Sequence, residues 1–174
     1  GGSKGDELFA NDAGGANSAD GAGVNTDSNK DSGYVNYSDA AKTYDKARDP
    51  LGDDIILGAF CASKTGVPLH QMRILDAGCG TGNYVRVILP KVGFIEASDY
   101  SDAMVDKGKE KYKGNPKVNF VVGSMADMPY GENEYDGIMC NKVVQHVETA
   151  ETMADRTTLK KCIAEALRVH KPDG

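Results

Sequence analysis

Arg73-Ile74-Leu75-Asp76-Ala77-Gly78-Cys79-Gly80-Thr81-Gly82-Asn83 is the stretch on which the fold turns. Arg73–Asp76 reads as a short buried strand, Asp76–Gly82 as a glycine turn, and Asn83 to about Pro90 as a helix. Gly78 and Gly80 let the backbone turn tightly and approach a ligand with no side chain between them. The helix start behind them offers N–H groups that suit an anion such as a carboxylate or phosphate. Asp76 can take an amino group or orient the loop through backbone N–H bonds. A glycine turn also serves ordinary strand-to-helix geometry, so its neighbours must decide.

The first neighbour is Asp99, which ends the next strand, Phe94–Ser98. A carboxylate there can accept both hydroxyls of a ribose, although aspartate is also a common turn residue. The dinucleotide fingerprint requires a third glycine at position 83, for close helix packing near a pyrophosphate. This chain has Asn83 there and its third glycine at Gly82. Gly-x-Gly-x-Gly suits a nucleoside with a small charged tail better than a pyrophosphate.

Further elements follow on either side. Helices are predicted over Ser38 to about Arg48 and Asp53 to about Lys64, separated by Pro50-Leu51-Gly52. Ser101 is placed to cap a helix running to about Tyr112, with Met104 and Val105 inward. Val118–Val122 and Tyr135–Cys140 read as the third and fourth strands. Thr158 to about His170 reads as a final helix with Leu159, Ile163, Ala166 and Leu167 on one face. Alternating strands and helices imply an α/β fold with a mainly parallel sheet covered by helices on both faces. Ligands bind such sheets beyond the carboxyl ends of the strands, where strand order reverses.

Composition sets outer bounds. The 174 residues are 40% apolar and 26% charged, the balance of a globular domain. Of the net charge of −6, most falls in the first 33 residues, which carry six Asp/Glu against two Lys. Residues 1–33 are almost devoid of apolar side chains and read as a disordered tail or a remnant of an expression tag. The remainder is near neutral, so no polybasic surface calls for nucleic acid or an anionic membrane as partner. Cys61, Cys79, Cys140 and Cys162 lie far apart with no Cys-x-x-Cys pairing, and only His70, His146 and His170 accompany them. That pattern predicts reduced cysteines, no metal site and a cytoplasmic location.

With these blocks in place, the sequence from Tyr34 to Gly174 resembles the class I S-adenosylmethionine-dependent methyltransferases, which have a Rossmann-like fold, and particularly their broad small-molecule group. The resemblance rests on Ile74–Gly82, Ala97-Ser98-Asp99-Tyr100-Ser101, Gly123 to Pro129 and Ala166–Gly174. It implies S-adenosyl-L-methionine as cofactor and a small-molecule methyl acceptor. It divides the chain into a helical lid over 34–70 and a cofactor-binding α/β domain over 71–174. Asp76, Gly78, Cys79 and Gly80 would then surround the methionine part of the cofactor, and Asp99 its ribose. Tyr100 and Met104 would lie beside the adenine, with Met125 near its other face. Family members often have Gly-Asp-Ala after the third strand, whereas this chain has Gly123-Ser124-Met125. Ser124 is a weaker acceptor, which shifts adenine binding toward Met125, Ala126 and stacking.

The resemblance also suggests that the entry segment folds over the cofactor, bringing Tyr37 and Tyr44 to the methionine end. Arg48 can pair with the cofactor carboxylate or with surface acids. Asn141 follows the fourth strand and should face the cleft. His146 can take a proton from a hydroxyl, amine or thiol acceptor, or simply line the site. Cys140 reads as core. The chain stops where the family enters its fifth strand, so the C-terminal strands are expected from elsewhere, from a second polypeptide or from chain beyond a cleavage or truncation. Alone, the chain is expected to bind cofactor weakly and aggregate readily. Two competing readings are a cofactor-binding regulatory or partner subunit without activity, and an NAD-dependent oxidoreductase, which Asn83 disfavours.

Overall fold

The structure is a computed structural model that describes residues 49–144, 147, 153–154 and 156–174. The predicted helix over Ser38–Arg48 and the segment before it lie outside the described residues. The elements run α1 (Asp53–Ala62), β1 (Arg73–Ala77), α2 (Asn83–Ile88), β2 (Phe94–Asp99), α3 (Asp102–Lys111), β3 (Val118–Val122), β4 (Gly137–Met139) and α4 (Thr157–Val169).

The four strands form one parallel sheet in the order β3-β2-β1-β4. The chain steps outward from β1 to β3 and then crosses to the other side of β1. That reversal puts the crevice at the carboxyl ends of β1 and β4. Asp76 stands opposite Ala97 on one side and Met139 on the other.

Alternation along β1 sends successive side chains to opposite faces. Ile74 joins Ile95, Ala97, Phe60, Val85, Ile88 and Val105 on the face covered by the first three helices. Leu75 and Ala77 pack with Met128, Tyr135 and Val169 on the other. Both faces are therefore covered, as the pattern predicts. Ile74, Leu75 and Ile95 are fully buried, and burial of a side chain of that size contributes about 1.5–3 kcal/mol.

Three local expectations are corrected. The fourth strand is Gly137–Met139, shorter than Tyr135–Cys140. At its start Asp136 N–H still donates to the Arg73 carbonyl at 2.9 Å, but the return bond goes to a side chain: Asp136 Oδ2 accepts from the Arg73 N–H at 2.8 Å, and Lys171 Nζ lies 2.6 Å from Asp136 Oδ1. Tyr135 instead bridges to His170. Second, α4 buries Cys162 and Val169, while Ile163 and Leu167 of the predicted apolar face are 52% and 70% exposed. Third, Ser101 stands at the N-cap of α3 without a side-chain capping bond. Its N–H is held by Asp99 Oδ1 at 2.9 Å.

Candidate functional site

The glycine turn takes its shape from β2. The N–H groups of Gly78 and Cys79 both donate to the Ser98 carbonyl, at 2.7 and 2.9 Å. Gly80 N–H donates to Asp99 Oδ2 at 2.7 Å, and Gly82 N–H to the Cys79 carbonyl at 3.0 Å. Asp99 is thus a carboxylate that orients the loop. These four amides are used within the protein, so the anion-binding role expected of the turn does not rest on them.

Two close approaches require glycine. Gly78 has φ of 80°, and a Cβ there would overlap the Val143 side chain. The chain leaving β4 is therefore seated on the turn. Gly82 has φ of 81°, and a Cβ there would meet Phe120 at 2.8 Å and Tyr112 at 3.0 Å. Tyr112 also donates its hydroxyl to the Gly82 carbonyl at 2.8 Å.

Between the turn and the end of β4 lies a cleft lined by Asp76, Gly78, Cys79 and Asn141, four residues singled out from sequence. It is completed by Asp49, Asn83, Tyr84 and Lys142, which were not assigned to a site. Tyr84 and Asn83 open α2, and Tyr84 donates to the Leu51 carbonyl at 3.1 Å, holding the incoming chain at the mouth. Lys142 directly follows Asn141, so the strand-end rule that selected Asn141 covers its neighbour as well. Lys142 has φ of 58°, a left-handed conformation that costs of order 1–3 kcal/mol outside glycine.

Asp76 is buried, and its Oδ2 has no hydrogen-bond partner; the Nδ2 of Asn141 is likewise buried and unpartnered. A buried acceptor and a buried donor left unsatisfied at one cleft call for a ligand or water carrying the complementary groups. Burial, and then the nearby Asp99 carboxylate, raise Asp76 to about 7. Asp99 is also raised by burial, against the lowering bonds from Ser101, Gly80 and Tyr100 N–H groups. Burial pushes the Cys79 thiol well up, helped by Asp76 and Asp99. Cys140 rises to about 11 through burial and then Asp76 and Cys162. Neither thiol carries the thiolate that nucleophilic catalysis needs at neutral pH.

The other sequence candidates lie outside this cleft. Tyr100 is 42% exposed, and Met104 is buried on α3. Ser124 accepts from the Ala126 N–H at 3.1 Å, so its oxygen already serves its own turn. Met125 packs against the second core cluster, and its sulfur lies 3.8 Å from the Cys140 thiol. Gly123 N–H donates to the Asp99 carbonyl at 2.9 Å, which joins this segment to the loop-orienting aspartate. Tyr37, Tyr44, Arg48 and His146 lie outside the described residues. Among the described residues, no group of three metal-ligating side chains occurs, and no helix is long and apolar enough to cross a membrane.

Comparisons with known proteins bear on the family and the fold. The chain is 25% identical to a demethylmenaquinone methyltransferase of Clavibacter sepedonicus, over 87% of this chain and 59% of that protein. It is 32% identical to a malonyl-[acyl-carrier protein] O-methyltransferase of Ilyobacter polytropus, over 65% of this chain and 41% of that protein. The chain thus spans about half the length of these curated relatives. The crystal structure of a SAM-dependent methyltransferase from Aquifex aeolicus shares the fold with a TM-score of 0.57 and 24% identity, covering 78% of this chain and 68% of that one. The family described as "Methyltransferase domain" matches residues 75–174, from the second core residue of β1 to the final Gly174. The chain belongs to this methyltransferase-domain family.

Proposed function

We propose that this chain binds S-adenosyl-L-methionine at the β1–β4 crevice and that the protein transfers its methyl group to a small-molecule acceptor. The observation that carries the reading is the pair of buried, unpartnered groups on Asp76 and Asn141 beside a glycine turn fixed by Asp99. An amino-acid tail offers an ammonium to Asp76 Oδ2 and a carboxylate to Asn141 Nδ2, so the residues fit the cofactor. Asp99 accepts backbone N–H groups of Gly80 on Oδ2 and Ser101 on Oδ1, with Tyr100 N–H a third donor to the carboxylate. The carboxylate keeps acceptor capacity for a ribose hydroxyl.

When bound, the cofactor supplies a methyl group already activated on a sulfonium. The chain's own work is to align an acceptor with that methyl and exclude water. Gly78, Cys79 and Gly80 shape the floor under the methionine part, and Val143 closes it from the β4 side. A cation at Asp76 favours the ionised carboxylate, so binding would displace the proton that burial holds there. Tyr100, Met104, Ser124, Met125 and Ala126 form the nucleoside end of the reading, and Tyr37 and Tyr44 the lid. His146 is its proton acceptor from the substrate. In this reading the cysteines stay reduced in the cytoplasm. Further strands, from continuing chain or a second polypeptide, extend the sheet past β4, which pairs only with β1 among the described residues.

Transfer of labelled methyl from S-adenosylmethionine to a panel of small hydroxyl, amine and thiol acceptors tests the activity. Product with at least one acceptor supports it. Cofactor binding without transfer to any acceptor would favour the regulatory-subunit alternative, toward which the Ser124 departure points.

A further inference from the structure

Ser124, Met125 and Ala126 belong to a tight turn: Asp127 N–H donates to the Ser124 carbonyl at 3.3 Å, and the two residues form an isolated bridge. The chain enters the turn from β3, and Gly123 N–H is held by the Asp99 carbonyl at the end of β2. Its exit is gripped from α4. Met128 N–H donates to Glu165 Oε2 at 2.8 Å. The Arg168 guanidinium donates to the Met128 carbonyl at 2.9 Å and the Tyr130 carbonyl at 2.8 Å. Arg168 also donates through Nε and Nη2 to both Glu165 oxygens, at 2.8 and 2.7 Å. A planar fork that satisfies four acceptors in fixed directions sets a register, which a lysine ammonium cannot do. The Arg168 bonds, reinforced by that from Met128, hold the Glu165 carboxyl down to about 2, so the pair stays charged across the working pH range.

We propose that Arg168, with Glu165, is a positioning residue that sets the Ser124–Ala126 turn against the nucleobase and so determines selectivity for the adenine amino edge. This rests on the reading of that turn as the nucleobase contact. Arg168 touches neither cofactor nor acceptor in the proposal and acts through the Met128 and Tyr130 carbonyls. The Ala166–Gly174 motif thereby gains a role at the site as well as in the fold.

The test compares the full chain with Arg168→Lys, titrated calorimetrically with S-adenosylhomocysteine and with its analogue carrying hypoxanthine in place of adenine. Wild type should prefer the adenine ligand. In R168K, affinity for the adenine ligand should fall about tenfold, the effect of losing one or two positioned hydrogen bonds. Affinity for the hypoxanthine ligand should change far less, bringing the ratio toward unity. Equal weakening of both ligands with the ratio intact would mark Arg168 as structural support only and overturn the proposal. Unchanged affinity in a folded R168K would overturn it while leaving the cofactor reading standing. Failure of wild type to bind either ligand would remove the cofactor reading and the proposal together. Should R168K not fold by circular dichroism, Glu165→Gln, which keeps an acceptor for Met128 N–H, should show the same loss of ratio to a smaller extent; an intact ratio there overturns the proposal.

Discussion

The glycine turn and the Gly123–Tyr130 segment flank the same strand ends, yet they are held in different ways. The turn is tied to the adjacent strand by its own amides, through the Ser98 carbonyl and the Asp99 carboxylate. It leaves one buried carboxylate oxygen without a partner. The Gly123–Tyr130 segment satisfies its serine internally and is gripped by a charged pair nearly forty residues away in sequence. Rigid backbone with an unsatisfied buried acid is suited to receiving a charge. A self-satisfied turn on a side-chain clamp is suited to being adjusted. The contrast separates binding strength, expected from the first region, from selectivity, expected from the second.

The largest effect expected from breaking this arrangement is at Gly78. Gly78→Ala would place a Cβ at positive φ and against Val143. Backbone strain and overpacking each cost about 1–3 kcal/mol. Thermal unfolding should therefore fall by on the order of 10 °C, for a chain in which 1 kcal/mol is about 2–4 °C. S-adenosylhomocysteine binding should be lost. A melting temperature within error of wild type would contradict the seating of Val143 on the turn.

Asp76→Asn should separate stability from binding. The folded Asp76 holds its proton to about pH 7, against 3.8 for the ordinary group. Because the folded state binds more protons over that window, stability is fullest below the ordinary value and falls as pH rises through about 7. Ligand-free D76N should therefore be more stable than wild type at pH 8 by about 1–3 kcal/mol, with the gap closing at pH 4. Its cofactor affinity should drop about 100-fold, as a charged partner is lost from a buried site. Denaturant melts at the two pH values check the first part. D76N less stable than wild type at pH 8 would contradict the burial argument.

Tyr112→Phe removes only the hydroxyl bond to the Gly82 carbonyl and leaves the ring stacked on Phe120, centroids 5.5 Å apart. The expected loss is about 0.5–1.5 kcal/mol of stability, with cofactor affinity within about threefold. A larger loss of affinity than of stability would show that the far end of the turn takes part in binding.

Much of this was legible in the sequence because it is written in local signals. Strand, glycine turn and helix follow each other within a few residues, and β1, β2, β3, α2 and α4 fall within a residue or two of expectation. The short β4 was not legible, because the Asp136 carboxylate takes the Arg73 N–H in place of a strand carbonyl and is held by Lys171 only through tertiary packing. The exposed Ile163 and Leu167 show that helical periodicity finds an apolar face without saying what covers it. Asp76, Gly78, Cys79 and Asn141 were found because each sits at a strand end or in the turn. Tyr84 escaped because only the folded cleft brings its neighbours together, whereas Lys142 was within reach of the strand-end rule that selected Asn141. The role of Asp99 in holding Gly80 was likewise invisible, since composition and spacing do not distinguish a ribose acceptor from a loop anchor.

The central claim is that the β1–β4 crevice receives an amino-acid-tailed nucleoside and not a dinucleotide. Parallel calorimetric titrations of the chain with S-adenosylhomocysteine and with NAD test it most directly. Saturable binding of S-adenosylhomocysteine, with heat lost on Asp76→Asn, and no binding of NAD is the expected result. Saturable binding of NAD alone would contradict it.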